Sequence, residues 1–146
     1  MIDKVVTTPL LRISDPRGDI LHMLKSSDDV FTEFGEIYFS FLRPNSFKTW
    51  RRQRLSTSQI CVPVGDVRIL VADLRHESEQ QGLILDTRIG SSSYTLVTIP
   101  PMVWYAFEAV SQKDALIANC ASVRHDPTQV ERCEADDLGL HIRWNH

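Results

Sequence analysis

The apolar residues of this chain fall in short runs and show no long helical stripe. The runs are rich in Val, Ile, Leu and aromatic residues, and turn-forming residues interrupt them roughly every 8 to 12 positions. Such a pattern is typical of a domain built from β-strands. It predicts strands at residues 19–24, 36–42, 47–52, 59–64, 66–74, 94–99, 115–122 and 139–144.

Turn-forming residues separate these runs. Asp15 to Gly18 has turn chemistry, Pro44 to Ser46 breaks two strands, and Gly65-Asp66 makes a tight join between two long ones. The one helical candidate is a short turn at residues 27–33, which Ser27 or Asp28 would cap. Residues 128–131 match a capping box, but no amphipathic run follows, so a loop or a single turn is expected there.

The chain of 146 residues has the size of one domain. No repeat, low-complexity tract or flexible linker divides it, so residues 1–146 are expected to form a single unit. About eight short strands without a long helix imply two packed sheets or a barrel, because an antiparallel sheet of that size must protect its edges.

The overall charge disfavours polyanionic partners. The formal net charge is −3, so neither nucleic acid nor an acidic membrane surface is an expected partner. No apolar run approaches the ~18 residues that a membrane-spanning helix needs, and the first ten residues lack the features of a secretory signal. A cytoplasmic protein is therefore expected. The three cysteines have irregular spacing and predict neither a disulfide framework nor a zinc site.

Several segments, in order along the chain, resemble one known family. They are Asp15-Pro16-Arg17-Gly18, GDVRILVADLR at residues 65–75, IPPMVWYAF at residues 99–107 and DDLGLHIRW at residues 136–144. Together they resemble dTDP-4-dehydrorhamnose 3,5-epimerase and its relatives, over nearly the whole chain. The resemblance implies a cupin-type jelly-roll barrel (a double-stranded β-helix), a homodimer, and a nucleotide-linked 4-keto-6-deoxy sugar as ligand.

The chemistry of that family requires groups that this chain lacks. The family uses a histidine paired with an aspartate as base, a lysine to hold the enolate, and a tyrosine as acid. These positions correspond here to Arg51, Ser58 and Asn119, and only the aspartate remains, as Asp137. Because arginine stays protonated at any working pH, Arg51 cannot act as the base. The family's epimerisation is therefore expected to be lost.

A bound metal is not expected either. Many cupins bind a metal through two histidines one residue apart and a third after a turn; here those positions correspond to Arg51, Gln53 and Tyr105. None of these is a good ligand for a divalent transition metal. The histidines of the chain share no such spacing; they are His22, His76, His125, His141 and His146. No cofactor is predicted.

A basic segment is the densest positive feature of this acidic chain. It contains Lys48, Arg51, Arg52 and Arg54, with Trp50 between them. The cluster has the composition of a local anion site, but a solvated surface is an equally good explanation.

The direction of these side chains decides what they bind. On a regular strand Arg51 and Gln53 share one face, which the resemblance places inside the barrel. Lys48 would join them only through a bulge or from a different direction. An inward arginine needs a partner, and either Asp137 or a ligand phosphate would serve. Asn119 completes the polar positions assigned to the ligand.

Further candidates come from the resemblance and from residue chemistry. In the family the arginine that matches Arg17 reaches a diphosphate, in dimers from the neighbouring chain, although the segment is also good turn chemistry. Trp104 would stack on a base or sugar at the barrel mouth, or pack under a loop. Asp73 and Arg75 suggest an ion pair at a strand end.

Three functions remain open on this evidence. The first is a nucleotide-sugar-binding cupin that has lost the family's chemistry. The second is an active keto-sugar epimerase or isomerase with substituted catalytic residues, for which Tyr105, His125 and Asp137 are the candidates. The third is an interaction subunit whose barrel is plugged by Arg51, Trp50 and Trp104.

Overall fold

The structure, a computed structural model, describes residues 2–145. Within them the chain forms β-strands and one 3₁₀ turn, Pro127–Gln129. The strands are β1 (Val6–Pro9), β2 (Arg12–Ile13), β3 (Ile20–Leu21), β4 (Glu36–Leu42), β5 (Phe47–Gln53), β6 (Ser58–Val64), β7 (Asp66–Asp73), β8 (Gly82–Gly90), β9 (Thr95–Ile99), β10 (Trp104–Ala109), β11 (Ala115–Ala121) and β12 (Val130–Arg132).

Two five-stranded antiparallel sheets build the domain. The first has the strand order β1-β9-β6-β11-β4 and the second β12-β5-β10-β7-β8, while β2 and β3 form a separate hairpin. Alternate side chains of both sheets meet between them. The centre of this core is formed by Ile60, Val62, Val67, Ile69, Val71, Val97, Ile99, Phe107 and Ile117. The all-β, two-sheet architecture expected from the sequence is confirmed.

Most predicted strands overlap observed ones, and Gly65 makes the expected tight turn with a φ of 79°. The short strands β1, β2, β10 and β12 and the longer β8 were missed. In β8, the exposed polar run Asp86, Thr87, Arg88 hides the alternation. The predicted helical turn at residues 27–33 is wrong, because the chain makes successive turns there; the single turn expected near Thr128 is confirmed.

The strand predicted at residues 139–144 is also wrong, although its apolar alternation is real. This segment lies on the outer face of the second sheet and forms no β-ladder there. It packs through the partly buried side chains Leu138, Leu140, Ile142 and Trp144. Alternating burial against a sheet therefore produces the same sequence pattern as a strand, without the backbone pairing.

Beneath this covering segment lies a second hydrophobic cluster centred on Trp50. Its side chain has no solvent exposure, and its indole N–H donates to the carbonyl of Ala135 at 3.1 Å. Trp144 contacts Phe47 edge to face, with ring centroids 4.7 Å apart. The outer side of β5 is therefore as well packed as its inner side.

A β-bulge in β5 changes which residues face the interior. Arg51 lies opposite Tyr105, but Lys48 lies opposite Phe107, so Thr49 and Trp50 together face one residue of β10. Tyr105 and Phe107 both belong to the core between the sheets. As a result Lys48 and Arg51 both lie on the inner face of β5. Lys48 reaches this face through the bulge.

Asp73 and Arg75 form the expected ion pair at the end of β7. The Asp73 carboxylate is fully buried and accepts from the Arg75 guanidinium at 2.8 Å. The Ser78 hydroxyl donates to the same carboxylate at 2.6 Å. Burial alone would raise the pKa of Asp73, but the hydrogen bonds from Arg75 and Ser78 outweigh it and lower the pKa below its ordinary value.

We predict that Asp73→Asn lowers the free energy of unfolding by about 2–4 kcal/mol at pH 7, because it leaves hydrogen-bond donors without their charged partner. A carboxyl group with a lowered pKa in the folded state stabilises the fold above its unfolded pKa, and this stabilisation is lost as the pH falls through the folded pKa. Urea denaturation between pH 7 and pH 2 measures both effects.

Asp15→Asn is the matched control, since Asp15 also pairs with an arginine two residues later, but on the surface. It should change stability little. Equal losses in the two variants would contradict the role assigned to the buried pair.

Candidate functional site

A cavity of about 300 Å³ opens between the edges of the two sheets. Its walls come from β4 in one sheet, from β5 and β12 in the other, and from the loop before the 3₁₀ turn. The lining residues are Glu36, Tyr38, Arg51, Gln53, His125, Val130 and Arg132. Polar side chains thus occupy inward positions at this end of the barrel, whereas the core between the two sheets is apolar.

On β4 the alternation of the strand brings polar groups into the cavity. Glu36 and Tyr38 face inward, while Ile37 and Phe39 face outward and are 52% and 62% exposed. Asn119 of β11 lies directly opposite Tyr38, and its side-chain amide donates to the Tyr38 hydroxyl at 2.9 Å. The phenol of Tyr38 is therefore held in place from the neighbouring strand.

The inner face of β5 supplies cations without carboxylate partners. Within residues 2–145, neither Lys48 nor Arg51 takes part in an ion pair, whereas Arg52 and Arg54 both pair with Glu131 on the outer face. Partial burial lowers the pKa of Lys48, and the nearby Arg51 lowers it further. The basic segment therefore divides into an outer half that shares the Glu131 carboxylate and an inner half without an ion pair in the described chain.

Tyr105 lies behind the cavity wall. Its side chain is only 2% exposed, and in the part of the chain that the structure describes its hydroxyl has no hydrogen-bond partner. Burial raises the pKa of Tyr105, and the neighbouring Tyr38 raises it further. Tyr105 therefore stays protonated at neutral pH and does not itself line the cavity.

A second, more open cleft of about 620 Å³ adjoins the cavity. The two share Glu36 and His125, and the backbone N–H of His125 donates to a Glu36 carboxylate oxygen at 3.0 Å. Arg124 and Asp126 also line this cleft. Cavity and cleft form one continuous groove with a cationic inner end.

Asp137 makes no contact with Arg51. Its carboxylate accepts from the backbone N–H of Glu134 at 3.0 Å, and it is exposed. The reason is the path of the C-terminal segment, which packs Leu138 against the outer face of the second sheet. The ion pair expected between Arg51 and Asp137 is therefore not formed.

Trp104 and Arg17 also lie away from the cavity. Trp104 belongs to the outer cluster around Trp50, and the Arg52 guanidinium lies over its ring, 4.5 Å from the centroid. Trp104 is therefore a packing residue, which was the second alternative, and it does not lie at the mouth of the barrel. The Arg17 side chain is 90% exposed and pairs with Asp15 at 2.9 Å in the turn between β2 and β3.

The other sequence candidates meet around the cavity. Arg51, Gln53 and His125 line it, and Asn119 contacts its wall through Tyr38. Four lining residues were not predicted from the sequence: Glu36, Tyr38, Val130 and Arg132. Polar residues alternating on the inward side of β4 were the available signal for the first two.

Neither a metal cluster nor a spanning helix is found in the described part of the chain. No three His, Cys, Asp or Glu side chains of residues 2–145 converge as metal binding requires, and His146 lies outside the described residues. No helix within the same range is long and apolar enough to cross a membrane. The cytoplasmic location expected from the sequence stays a prediction.

The two facing antiparallel sheets and the polar cavity at their open end define a cupin-type jelly roll. The structure of a dTDP sugar isomerase from Desulfovibrio desulfuricans G20 superposes with a TM-score of 0.89 and 34% identity, over 98% of this chain and 92% of that one. At that identity and coverage, the chain belongs to the family of cupins that comprises the dTDP-sugar isomerases and the dTDP-4-dehydrorhamnose 3,5-epimerases. The resemblance seen in the sequence is confirmed.

More distant relatives agree with this assignment. An epimerase from Legionella pneumophila Philadelphia 1, solved with dTDP-4-keto-L-rhamnose, has a TM-score of 0.85 at 18% identity, over 99% of this chain and 80% of that one. The spore coat polysaccharide biosynthesis protein SpsL of Bacillus subtilis (strain 168) is 23% identical over 99% of this chain and 97% of its own length. No protein-family model matches.

We predict that Arg51→Met leaves the ligand-free protein as stable as the wild type, or stabilises it by up to about 1 kcal/mol, because it removes a cation that has no carboxylate partner among residues 2–145. Arg52→Met should lose about 1–2 kcal/mol, since it breaks the ion pair with Glu131 and the contact with Trp104. Urea denaturation compares the two, and a larger loss for Arg51→Met would show that Arg51 has a structural role.

Proposed function

We propose that the protein binds a nucleotide-linked sugar of the dTDP-4-keto-6-deoxyhexose type in this groove. The observation that carries the proposal is Arg51, a cation on the wall of an open cavity that takes part in no ion pair within residues 2–145, with Lys48 near it on the same inner face of β5. A buried or half-buried cation without a protein partner is costly, so a ligand anion or polarised oxygen is its natural complement. The membership of the chain in a dTDP-sugar family supports the same ligand class.

The dimensions of the groove fit such a ligand. Small-molecule sites usually enclose about 300 to 1,000 Å³, and the cavity and adjoining cleft have volumes of about 300 and 620 Å³. We assign the sugar to the inner cavity, where Arg51 and Gln53 reach its oxygens. The nucleotide then extends into the cleft, past Arg124.

The acid and base of the family's usual route are missing from this site. The positions that the resemblance assigns to that chemistry, Arg51, Ser58 and Asn119, all lie on inward faces of their strands. None of these side chains can accept and return a proton in the way of a histidine and tyrosine pair. The plugged barrel is disfavoured, because Trp50 and Trp104 lie on the outer face and leave the cavity open.

The homodimer implied by the resemblance is part of the proposal. The outer side of β4 carries an apolar stripe formed by Ile37, Phe39 and Phe41, which are 52%, 62% and 64% exposed. β4 is also an edge of its sheet. An exposed apolar strand at a sheet edge is unfavourable in a monomer, and a second copy of the chain would cover it. In such a dimer, Arg17 would be available to the neighbouring site.

We predict that dTDP and a dTDP-4-keto-6-deoxy sugar raise the melting temperature of the wild type. A Kd tighter than ~100 µM corresponds to roughly 1–3 kcal/mol of stabilisation at millimolar ligand. Arg51→Met should weaken binding at least about tenfold, since it removes a charge-assisted contact. Thermal shift and isothermal titration calorimetry measure these effects.

Arg54→Met serves as the matched control for binding, because Arg54 lies outside the cavity and pairs with Glu131. It should bind like the wild type. Absence of a shift with every dTDP compound tested, or equal weakening in both arginine variants, would contradict the proposed site.

For the dimer, we predict that the double variant Phe39→Lys/Phe41→Lys is monomeric at concentrations where the wild type is dimeric, because it places charge on the apolar stripe. Size-exclusion chromatography with light scattering gives the mass directly. Leu83→Lys, at the edge of the other sheet and 39% exposed, should stay dimeric. A monomeric wild type at 100 µM, roughly the upper range for a specific interface, would refute the dimer.

A further inference from the structure

The cavity contains more chemistry than binding requires. A carboxylate, Glu36, and a phenol, Tyr38, occupy successive inward positions of β4, and Arg51 faces them from β5. Within residues 2–145, Glu36 is in no ion pair, although two arginines line the same cavity. A free carboxylate, an oriented phenol and a fixed cation are the three groups that proton transfer next to a ketone needs.

We propose that Glu36 and Tyr38 form the base and acid of a keto-sugar isomerase or epimerase site, with Arg51 as the cation that stabilises the enolate. This inference rests on the proposed function, because the keto sugar must first bind in the cavity. The catalytic residues proposed here differ from those expected from the sequence. Of the expected residues, Asp137 lies on the opposite face of the sheet.

The reaction balances without any further reagent. The Glu36 carboxylate takes a proton from the carbon next to the ketone; the C–H bond breaks, and its electron pair becomes the C=C bond of an enolate whose oxygen faces Arg51. The O–H of Tyr38 then breaks as its proton forms a new C–H bond on the sugar. Protonation of the same carbon on its other face restores the original C=O bond and gives the epimer. Protonation of the former carbonyl carbon gives the isomer, because the hydroxyl on the neighbouring carbon passes its proton to the enolate oxygen and the C=O bond forms at that neighbouring carbon. A proton passes from Glu36 to the Tyr38 phenolate through solvent, which returns both groups to their starting forms.

Tyr38 fits the role of acid better than Tyr105. Tyr38 lines the cavity and is partly exposed, whereas Tyr105 is 2% exposed and lies behind the wall. The amide of Asn119 donates to the Tyr38 oxygen, so the phenol proton is free to point toward the ligand. The same hydrogen bond stabilises the phenolate that forms when the proton leaves. Asn119 is accordingly a positioning residue.

The test measures deuterium incorporation from D₂O into a dTDP-4-keto-6-deoxy sugar, at the carbons next to the ketone, by NMR and mass spectrometry. The wild type should introduce label, and Tyr38→Phe and Glu36→Gln should each slow it about 100-fold or more. Their Kd values for dTDP should stay close to the wild-type value. Asn119→Ser should slow labelling at saturating sugar without changing Kd, whereas a purely structural role would weaken both.

Tyr94→Phe is the matched control for Tyr38→Phe. Tyr94 lies on the outer face of the first sheet, and its hydroxyl contacts only the thiol of Cys61, at 3.7 Å, among the contacts of the described chain. The variant loses the same phenol oxygen outside the cavity and should label the sugar at the wild-type rate.

The two proposals fail differently. A wild type that binds the dTDP sugar but introduces no label over hours overturns this inference and leaves the binding function standing. A wild type that binds no dTDP compound overturns the proposed function itself. Labelling that persists in both Tyr38→Phe and Glu36→Gln shows that other groups move the proton, and it overturns the assignment.

Discussion

The packing of Trp50 on the outer face of β5 is the constraint on which the site depends. Its indole is fully buried beneath the C-terminal segment and hydrogen-bonded to Ala135. Because successive side chains of a strand point to opposite faces, anchoring Trp50 outward directs Arg51 inward. The bulge at Thr49 and Trp50 then returns Lys48 to the same inner face. A shift of β5 by one residue would place the Trp50 indole in the cavity and the cavity cations on the outer face. Such a shift would disrupt both hydrophobic clusters.

The distribution of charge follows from this register. On the outside, Glu131 of the short edge strand β12 pairs with both Arg52 and Arg54 and links β12 to β5. On the inside, Lys48 and Arg51 have no equivalent carboxylate in the described part of the chain. A net negative chain thus keeps a small cationic interior surface without a long-range positive field. Such a surface selects for ligands that enter the groove, and it does not attract polyanions at a distance.

The sequence predicts the architecture well and the site only in part. Strand alternation is a local property, so β4, β6, β7 and β11 could be located within a residue or two. The path of the C-terminal segment is a tertiary property: its alternating apolar residues look like a strand, and the chain instead uses them to cover Trp50. The expected partnership of Arg51 with Asp137 failed for that reason. Glu36 and Tyr38 were missed although their strand was predicted correctly, because strand alternation does not show which of the two faces turns toward a cavity.

Arginine at the position of a catalytic histidine changes the chemistry that the cavity can support. A guanidinium keeps its charge in every step, so it can hold an enolate or phosphate oxygen but cannot accept a proton from carbon. Any proton transfer in this cavity must therefore start from another strand, and β4 is the wall that presents a carboxylate and a phenol to Arg51. The Asn119 amide, directly opposite Tyr38, holds that phenol by its oxygen and leaves its proton directed into the cavity. Cation and proton-transfer groups thereby lie on facing sheets, so that a keto sugar bound between them would lie within reach of both.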